Sequence, residues 1–487
     1  MLAPPADRPP YRPMTIAPQA AAYRPHVAIA SLQDRLADPV AAADFPRTIL
    51  RFRNRRWDRA VGLDGLSDEQ WIAHFGRFEP LPDNLPQPLA LRYHGHQFRV
   101  YNPDIGDGRG FLFAQLRDGA GRLLDLGTKG SGRTPYSRFG DGRLTLKGGV
   151  REILATEMLE ALGVETSKTF SLIETGEQLQ RNDEPSPTRS AVMVRLSHGH
   201  VRIGSFQRLA TLGEAETIRD LAAYVLTELY GEAPGNAPAG QLLDHVCRRT
   251  ARLAASYMAA GFVHGVLNSD NINVTGESFD YGPWRFTPTW DPGFTAAYFD
   301  QQGLYAFGRQ AQAIHWDVVQ LALSLRPIAE AEELAPALDA WPAHYEREAA
   351  AAICGRLGVA PRGEEADLAL IQAMDVALQR SGVGVDRFFF DWRGGSRRAP
   401  SPADGAYEGE DFAAFRDAIA GYQGVVALDH DYWSDAAPCS MLIDEVEAIW
   451  SAIDTDDDWS VLEAKITAIR RMGEAMRASP PNNKKHS

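Results

Sequence analysis

Hydrophobic and polar residues alternate in short runs between residues 91 and 129, and glycine-rich turns separate the runs. The runs are HGHQFRVYN, FLFAQLR and LLDLGTK, and the turns are GDGRG at 106–110 and DGAGR at 118–122. Alternation with a period of two is typical of strands, and glycine allows the tight turns between them. The pattern therefore predicts a small antiparallel sheet.

A helical period replaces the alternation after this sheet. From Gly149 to Leu162 apolar residues recur at every third or fourth position, and Gly163 is a typical stop signal. Two further apolar runs, at 169–174 and 190–196, have the length of strands. One helix is thus predicted to follow the first strands and to be followed by more of the sheet.

The chain becomes mainly helical beyond a boundary predicted near Leu212. Amphipathic periodicity predicts helices in three stretches of sequence, which are 214–230, 241–261 and 316–328. A strand-rich segment therefore precedes a helical one, and the fold class expected is α+β.

The two ends of the chain differ from its middle. The Pro/Ala-rich start, up to about residue 45, predicts an extended arm that lies on the surface or stays mobile, because proline disfavours regular elements. Beyond Pro400 the pattern predicts two helical stretches, acidic turns and the polar tail PPNNKKHS. The aromatic run FFFDW, which starts at Phe388, is expected in the core.

Composition and charge exclude several classes of protein. The net charge of -14 argues against a nucleic-acid-binding protein, which normally carries a basic stripe. No run of about 18 apolar residues is present, so no membrane span is expected. The three cysteines, Cys247, Cys354 and Cys439, are far apart, which favours a reducing cytoplasm over a disulfide framework.

Three features of the strand-rich segment are typical of enzymes that bind a triphosphate. Glycines let the turn 106–110 approach phosphate, although a glycine turn is also common in a plain hairpin. Lys129 ends the third run, and the helix after it could supply a carboxylate partner, as in kinases. Glu152, Glu157 and Glu160 all lie on that helix, and the pattern alone does not decide between them.

The loop 129–143, KGSGRTPYSRFGDGR, is rich in glycine and arginine. Such a composition disfavours a packed strand and is compatible with a loop that faces phosphate. A basic loop that is only solvated remains the alternative.

The segment HGVLNSDNINVTGESFDYG, from His264 to Gly282, resembles the spacing of catalytic and metal-binding residues in kinases. Asn271 and Asp280 stand where kinases have two oxygen ligands of magnesium. Val266 occupies the usual position of the catalytic aspartate, and its side chain cannot accept a proton. Asp270 could act as the base instead, or it could only cap a loop.

Taken together, GDGRG, DLGTKGSGRTPYSRFGDGR, VREILATEMLEALGV, VRLSHGHVRIGSF, GFVHGVLNSDNINV, DYGPW and WDPGF resemble the SelO (YdiU) family of kinase-like protein adenylyltransferases. The resemblance implies a bilobal protein-kinase-like fold with a strand-rich N-lobe and a helical C-lobe. It also implies four parts, namely an N-terminal arm and extension (1–78), the N-lobe (79–212), the C-lobe (213–400) and a C-terminal helical extension (401–487).

The resemblance further implies that ATP binds in a flipped orientation, so that AMP is transferred to Ser, Thr or Tyr hydroxyls of proteins. Asp270 is then the proton acceptor, Glu152 pairs with Lys129, and Asn271 and Asp280 hold Mg²⁺ or, as a substitute, Mn²⁺. The residues that contact the nucleotide are Gly106, Gly108, Arg109, Lys129, Asp141, Gly142, Arg195, Arg202 and Asp280.

A cytoplasmic protein adenylyltransferase that uses ATP and protein substrates, without nucleic acid or membrane, is therefore the function predicted. Two alternatives stay open. One is an ordinary ATP-dependent phosphotransferase that uses Asp270, and the other is a non-catalytic scaffold that only binds ATP.

Overall fold

The computed structural model describes residues 20–182, 184–398 and 400–478. This part of the chain is mixed α+β, as predicted, and strands dominate its first half. The strands are β1 (Ala37–Pro39), β2 (Ile49–Arg53), β3 (Leu89–Leu91), β4 (Gly95–Gln97), β5 (Val100–Asn102), β6 (Leu112–Arg117), β7 (Leu123–Lys129), β8 (Leu144–Thr145), β9 (Lys168–Leu179), β10 (Thr188–Ser197), β11 (Phe262–Val263) and β12 (Arg285–Phe286).

The main sheet has eight antiparallel strands in the order β1-β3-β6-β7-β10-β9-β2, with β8 paired to β10. The predicted antiparallel sheet is thus present, and it is larger than the pattern indicated. Strands β9 and β10 extend beyond the predicted runs, and they pair along most of their length. Next to them, β7 and β10 place Lys129 opposite Met193 and Gly127 opposite Arg195, which brings these two basic side chains to one end of the sheet.

The hairpin of β4 and β5 is a separate two-stranded sheet, so the prediction that it belongs to the main sheet is wrong. Its backbone amides donate hydrogen bonds to side chains of residues 268 and 269 and not to a strand of the main sheet. The His96 amide donates to Ser269 Oγ at 2.7 Å, and the Phe98 amide donates to Asn268 Oδ1 at 3.0 Å. The hairpin is therefore a support for the segment that contains Asp270.

Helices make up most of the second half. They are α1 (Gln33–Leu36), α2 (Arg55–Ala60), α3 (Asp68–Gly76), α4 (Leu146–Ala161), α5 (Ile203–Thr211), α6 (Ala215–Tyr224), α7 (Pro238–Ala260), α8 (Gln310–Leu325), α9 (Ala331–Asp339), α10 (Trp341–Leu357), α11 (Glu364–Ser381), α12 (Val385–Asp391), α13 (Asp404–Glu408), α14 (Ala413–Ile419), α15 (Ile443–Asp456) and α16 (Ser460–Arg477). In the described part of the chain, none of the helices is both apolar and long enough to span a bilayer.

Helix α4 confirms the predicted helix but begins three residues earlier. The Thr145 side chain accepts a hydrogen bond from the Gly148 amide at 3.1 Å, so Thr145 caps the first turn. Helix α7 similarly begins at Pro238, before the predicted start, because proline is compatible with the first turn of a helix. Capping chemistry therefore sets both starts.

The apolar core consists of three clusters. The largest joins α4 to the helices α7 and α8 and to the C-terminal α15 and α16. A second contains Phe388, Phe389 and Trp392, so the prediction that FFFDW is buried is confirmed. The third fills the space between the sheet and α2 and α3.

The start of the described chain departs from the predicted surface arm. Ile29, Leu32 and Leu36 are buried, and β1 pairs with β3, so the prediction is wrong for residues 28–39. Their apolar side chains cover one side of the sheet, which overrides the proline content. Residues 1–19 of the predicted arm and the predicted polar tail lie outside the described residues.

Candidate active site

A cleft with a volume of about 740 Å³ lies at the end of the sheet where β7 and β10 bring Lys129 and Arg195 together. The glycine turn 106–110, the loop 129–143 and the segment 266–280 also line it. The structure thus gathers in one cleft all the residues predicted for nucleotide, metal and proton, which are Gly106, Gly108, Arg109, Lys129, Asp141, Gly142, Arg195, Arg202, Asp270, Asn271 and Asp280.

Lys129 is held by a buried carboxylate on α4. Its Nζ lies 2.6 Å from Glu152 Oε1. The competing carboxylates face elsewhere, because Glu157 pairs with Arg470 and Glu160 pairs with Arg56. The choice that periodicity left open is therefore resolved by the direction in which α4 presents each side chain.

Asp280 faces the same lysine from the opposite wall of the cleft. Its Oδ1 lies 2.9 Å from Lys129 Nζ and 3.3 Å from Arg195 Nη2. Burial opposes ionisation of Asp280, yet Lys129 and Arg195 hold its pKa well below the usual range. The carboxylate is therefore charged at neutral pH, as a metal ligand must be.

Asp270 lies in the 3₁₀ turn Ser269–Asn271 and is buried. Burial raises its pKa to about 6, although Arg202 lowers it. Its Oδ1 has no hydrogen-bond partner among the described residues. A buried carboxylate with an unpartnered oxygen and a pKa near neutrality is suited to accept a proton.

The turn that contains Asp270 is fixed from two sides. Ser269 Oγ donates to Gln207 Oε1 on α5 at 2.6 Å and accepts from the His96 amide on β4. Gly95 of β4 lies directly against Asp270, because a Cβ there would be 2.9 Å from Asp270 Oδ1. Only glycine leaves room for the carboxylate in this position.

Gln97 is a residue of the cleft that the sequence did not indicate. Its side chain lines the cleft and lowers the pKa of the Asp270 carboxyl, although burial of that carboxyl has the larger and opposite effect. Asn102 Nδ2 donates to Gln97 Oε1 at 2.9 Å, which fixes the orientation of the Gln97 amide. The hairpin sequence HGHQFRVYN contains both residues, but its pattern predicts only strands.

Asn271 and His264 connect the segment 264–280 internally. Asn271 Nδ2 donates to the Val266 carbonyl at 3.0 Å, which leaves its amide oxygen available to the cleft. The His264 imidazole bonds the Phe279 carbonyl at 2.9 Å and so links the start of the segment to Asp280. Val266 lines the cleft with an apolar side chain, as the sequence predicts.

Arg202 lies deep in the cleft between two aromatic rings. Its guanidinium is 4.4 Å from the centroid of Tyr93 and 4.8 Å from that of Phe279. It donates to the Asp270 carbonyl at 3.0 Å and lies 3.4 Å from Asp107 Oδ1. Asp107 was not predicted, although it stands inside the glycine turn, because a turn aspartate is usually solvated.

The glycine turn and the loop 129–143 pack against each other. A Cβ on Gly106 would be 2.6 Å from the Tyr136 ring, and Gly142 adopts a left-handed φ of 74°. Asp141 pairs with Arg181 at 2.8 Å. The predicted loop is confirmed, and its position against the turn shows why both sequences are rich in glycine.

Asn271 and Asp280 bring an amide and a carboxylate to the lining of the cleft. Over the described ranges, no group of three or more His, Cys, Asp and Glu side chains could hold a metal by itself. Asn271 and Asp280 supply two oxygens, and Mg²⁺ typically takes one or two protein ligands together with phosphate oxygens and water. These donors therefore fit a Mg²⁺ ion that arrives with a triphosphate.

Comparison with known proteins gives the same family as the resemblance of the sequence motifs. A family model described as "Protein adenylyltransferase SelO" matches residues 19–470. This chain belongs to the SelO family. The match extends from the first described strands to α16, so the family resemblance is not confined to the cleft.

Curated SelO relatives cover nearly the full length of the chain. A protein of Gloeobacter violaceus, named "Protein nucleotidyltransferase YdiU", is 43% identical over 469 residues, which are 92% of this chain and 95% of the relative. Proteins with the same name from Synechococcus elongatus and Synechocystis sp. are 41% and 42% identical over 93% and 90% of this chain, and each match covers 95% of the relative.

Proposed function

We propose that this protein is a Mg²⁺-dependent protein adenylyltransferase that transfers AMP from ATP to Ser, Thr or Tyr hydroxyls. Membership of the SelO family supports nucleotidyl transfer, and the cleft supplies the groups that such a reaction needs. The observation on which the proposal depends is Asp270, a buried carboxylate with a raised pKa in the cleft that Lys129, paired with Glu152, also lines.

The proposal includes a bilobal kinase-like arrangement. The N-lobe (79–212) contributes Lys129, Glu152 and the glycine turn, and the C-lobe (213–400) contributes the segment 264–282. The extensions 1–78 and 401–487 flank the two lobes. The position of the cleft, between the end of the main sheet and the loop that follows α7, supports this arrangement.

Buried arginines support a flipped orientation of ATP. Arg195 and Arg202 are both more than nine-tenths buried, and they lie on the inner wall of the cleft together with Lys129. A triphosphate that points inward brings its terminal negative charges to these cations, which the nearby carboxylates of Asp280 and Asp107 neutralise only in part. The α-phosphate then lies nearer to the mouth and to the acceptor.

In the reaction proposed, the acceptor hydroxyl oxygen attacks the α-phosphorus of ATP. The bond between the α-phosphorus and the bridging oxygen breaks, and diphosphate leaves. Asp270 accepts the hydroxyl proton, and Lys129 and Arg195 stabilise negative charge on the phosphates. Mg²⁺, held by Asn271 and Asp280, supplies further neutralisation of phosphate charge.

The setting proposed for this enzyme is the cytoplasm, and its partners are ATP and hydroxyl-bearing proteins. The three cysteines are free thiols, which agrees with a reducing compartment. The net charge of -14 disfavours nucleic acid as a partner.

Labelled ATP tests which phosphate moves. The protein is incubated with unfolded casein and either α-³²P-ATP or γ-³²P-ATP in the presence of Mg²⁺. We expect casein to acquire the α-label only, and we expect Asp270→Asn to lower the transfer rate by about 10² to 10⁴. Asp280→Ala should abolish transfer, whereas Asp339→Asn, an exposed carboxylate on α9, should leave it unchanged.

Two outcomes distinguish the alternatives. Transfer of the γ-label without the α-label identifies an ordinary phosphotransferase and overturns the proposal. A rise in melting temperature with ATP, but no label on casein, on the protein itself or on a panel of bacterial proteins, identifies a non-catalytic scaffold.

A further inference from the structure

Four large apolar side chains are exposed close to the mouth of the cleft. They belong to the hairpin of β4 and β5 and to the loop 294–305, and the exposed fractions are 36% for Phe98, 71% for Val100, 83% for Tyr298 and 46% for Phe299. We call these four residues the aromatic patch. Exposed apolar side chains that cluster in this way mark interaction surfaces.

The rings of the aromatic patch contact one another across the two segments. Phe98 and Phe299 have ring centroids 5.9 Å apart, and Tyr298 and Phe299 are 5.2 Å apart. Phe98 also lies 5.0 Å from the buried ring of Tyr305. The three rings are therefore one continuous surface anchored on the core, and Val100 lies two residues after Phe98 in the same hairpin.

The aromatic patch is bonded to the turn that contains Asp270. Asn268 Oδ1 accepts hydrogen bonds from the Phe98 amide at 3.0 Å and from the Tyr305 hydroxyl at 2.7 Å. Gly95, three residues before Phe98, lies directly against the Asp270 carboxylate. One hairpin thus contacts Asp270 and also presents an apolar side chain to solvent.

The tip of this hairpin is strained. Phe98 and Arg99 both adopt left-handed backbone conformations, with φ of 49° and 62°. Two-residue turns of this kind favour Asn-Gly, and a bulky residue in this region costs about 1–3 kcal/mol. Such strain is kept where the position of a side chain matters, and here it directs Phe98 towards Phe299 and Arg99 over Trp316, 5.4 Å from its centroid.

We propose that the aromatic patch binds the segment of the acceptor protein that carries the modified hydroxyl. The inference rests on the proposed adenylyl transfer, since the acceptor must reach Asp270 from solvent, and the patch continues outward from the residues that hold Asp270. Arg99 is exposed beside the patch and forms no ion pair with the described residues. The occupant is thus an extended segment with an apolar side chain near its hydroxyl and an acidic residue close by.

A randomised peptide library tests this proposal. Peptides with a fixed central Ser and random flanking positions are incubated with the protein, Mg²⁺ and ATP, and the adenylylated peptides are sequenced. We expect aromatic or aliphatic residues to be enriched at one or two flanking positions. Tyr298→Ser and Phe299→Ser should remove this enrichment and raise the KM for an enriched peptide about tenfold, as expected for loss of an interface anchor.

Two controls test whether the effect is specific to the aromatic patch, namely the KM for ATP and a variant on another surface. The side chain of Tyr298 is almost fully exposed, so its substitution should not disturb folding, and the KM for ATP should stay unchanged. Val461→Ser, on α16 and away from the cleft, removes an apolar side chain that is exposed to 39%, close to the 46% of Phe299, and should leave the peptide preference intact.

Three results overturn the inference, and each has a different meaning. If the wild type transfers no AMP to any peptide or protein, the proposed function fails, and the docking surface fails with it. If transfer is intact but Tyr298→Ser keeps the wild-type preference and KM, only the docking surface is wrong. If Tyr298→Ser instead abolishes a concentration-dependent dimer and leaves the preference unchanged, the patch joins two copies of this chain.

Discussion

Burial in the folded protein destabilises the ionised form of Asp270 relative to its neutral form. Burial raises its pKa to about 6, whereas an exposed aspartate has a pKa near 3.8. A carboxylate that is poorly solvated holds the proton of an incoming hydroxyl more readily. The same desolvation lowers the free energy of unfolding at neutral pH. The proton-accepting role proposed for Asp270 is thus obtained at the expense of stability.

The pH dependence of stability tests this opposition. The pKa of Asp270 is higher in the folded state than in the unfolded state. The contribution of this residue to the free energy of unfolding is therefore fully present below about pH 4 and is lost as the pH rises through 6. Asp270→Asn should therefore unfold at the same urea concentration as the wild type at pH 4. At pH 8 the variant should be more stable, by up to about 3 kcal/mol. Equal stability at both pH values would contradict the burial of this charge.

At the scale of elements, strand β4 positions the base by leaving space. Gly95 faces Asp270 so closely that any side chain must displace the carboxylate. The strand is short and pairs only with β5, so it has little other structural role. Its contribution is the space that the Asp270 carboxylate, the proposed base, occupies.

Gly95→Ala should lower kcat strongly and the free energy of unfolding only slightly. The added Cβ would lie 2.9 Å from Asp270 Oδ1, and a displacement of about 1 Å in a catalytic group can cost about 10²-fold in rate. The measurement is α-label transfer at saturating ATP, together with thermal unfolding. Gly65→Ala is the control, because no atom lies within 4 Å of a Cβ there. An unchanged kcat would show that the strand does not set the position of the base.

Helix α16 packs against the face of α4 that contains Glu157, and not against the face that contains Glu152. Arg470 forms two bonds with the buried Glu157, at 2.6 and 2.8 Å, and α4 presents Glu152 to Lys129 on another face. The C-terminal helix thus stabilises the element that orients the lysine.

Arg470→Ala should destabilise the protein by about 3 kcal/mol, because it leaves Glu157 buried with weaker partners. Denaturation by urea gives the value. Arg248→Ala removes an exposed ion pair with Asp244 and should cost less than about 1 kcal/mol. If the two variants lose the same stability, the contact between α16 and α4 contributes little.

The sequence predicted those elements whose apolar period is uninterrupted. The sequence predicts strand β7 and helix α7 because the apolar period lies entirely within their own residues. The partners of β4 and the burial of residues 28–39 depend on distant residues, and a local pattern contains no information on them. Among the site residues, motif spacing indicated Lys129 and Asp270, whereas Gln97 and Asp107 were missed since their partners come from other segments.

At the scale of the whole molecule, the charge of the cleft is opposite to that of the protein. The chain carries a net charge of -14, yet Lys129, Arg195 and Arg202 lie together in one cleft. An acidic surface repels polyanions in general, and a local group of cations selects those that fit. Among the described residues, we therefore expect phosphate to bind in this cleft.

ATP should consequently stabilise the protein far more than adenosine does. At a concentration of 100 times its Kd, ATP with Mg²⁺ should add about 2.7 kcal/mol of stability, which corresponds to a melting temperature a few degrees higher. Adenosine at the same concentration lacks the phosphates and should give little shift. Thermal unfolding followed by fluorescence measures both, and equal shifts would place the main binding energy on the base instead of the phosphates.

The packing of α16 on α4 also has a consequence for the order in which the molecule is made. Synthesis proceeds from the N-terminus, so Lys129 and Glu152 leave the ribosome long before the helix that supports their ion pair. Until residues 460–477 have emerged, Glu157 lacks the partner that fixes α4 from behind. The cleft is thus completed late, and the transfer of AMP proposed for it requires the finished chain.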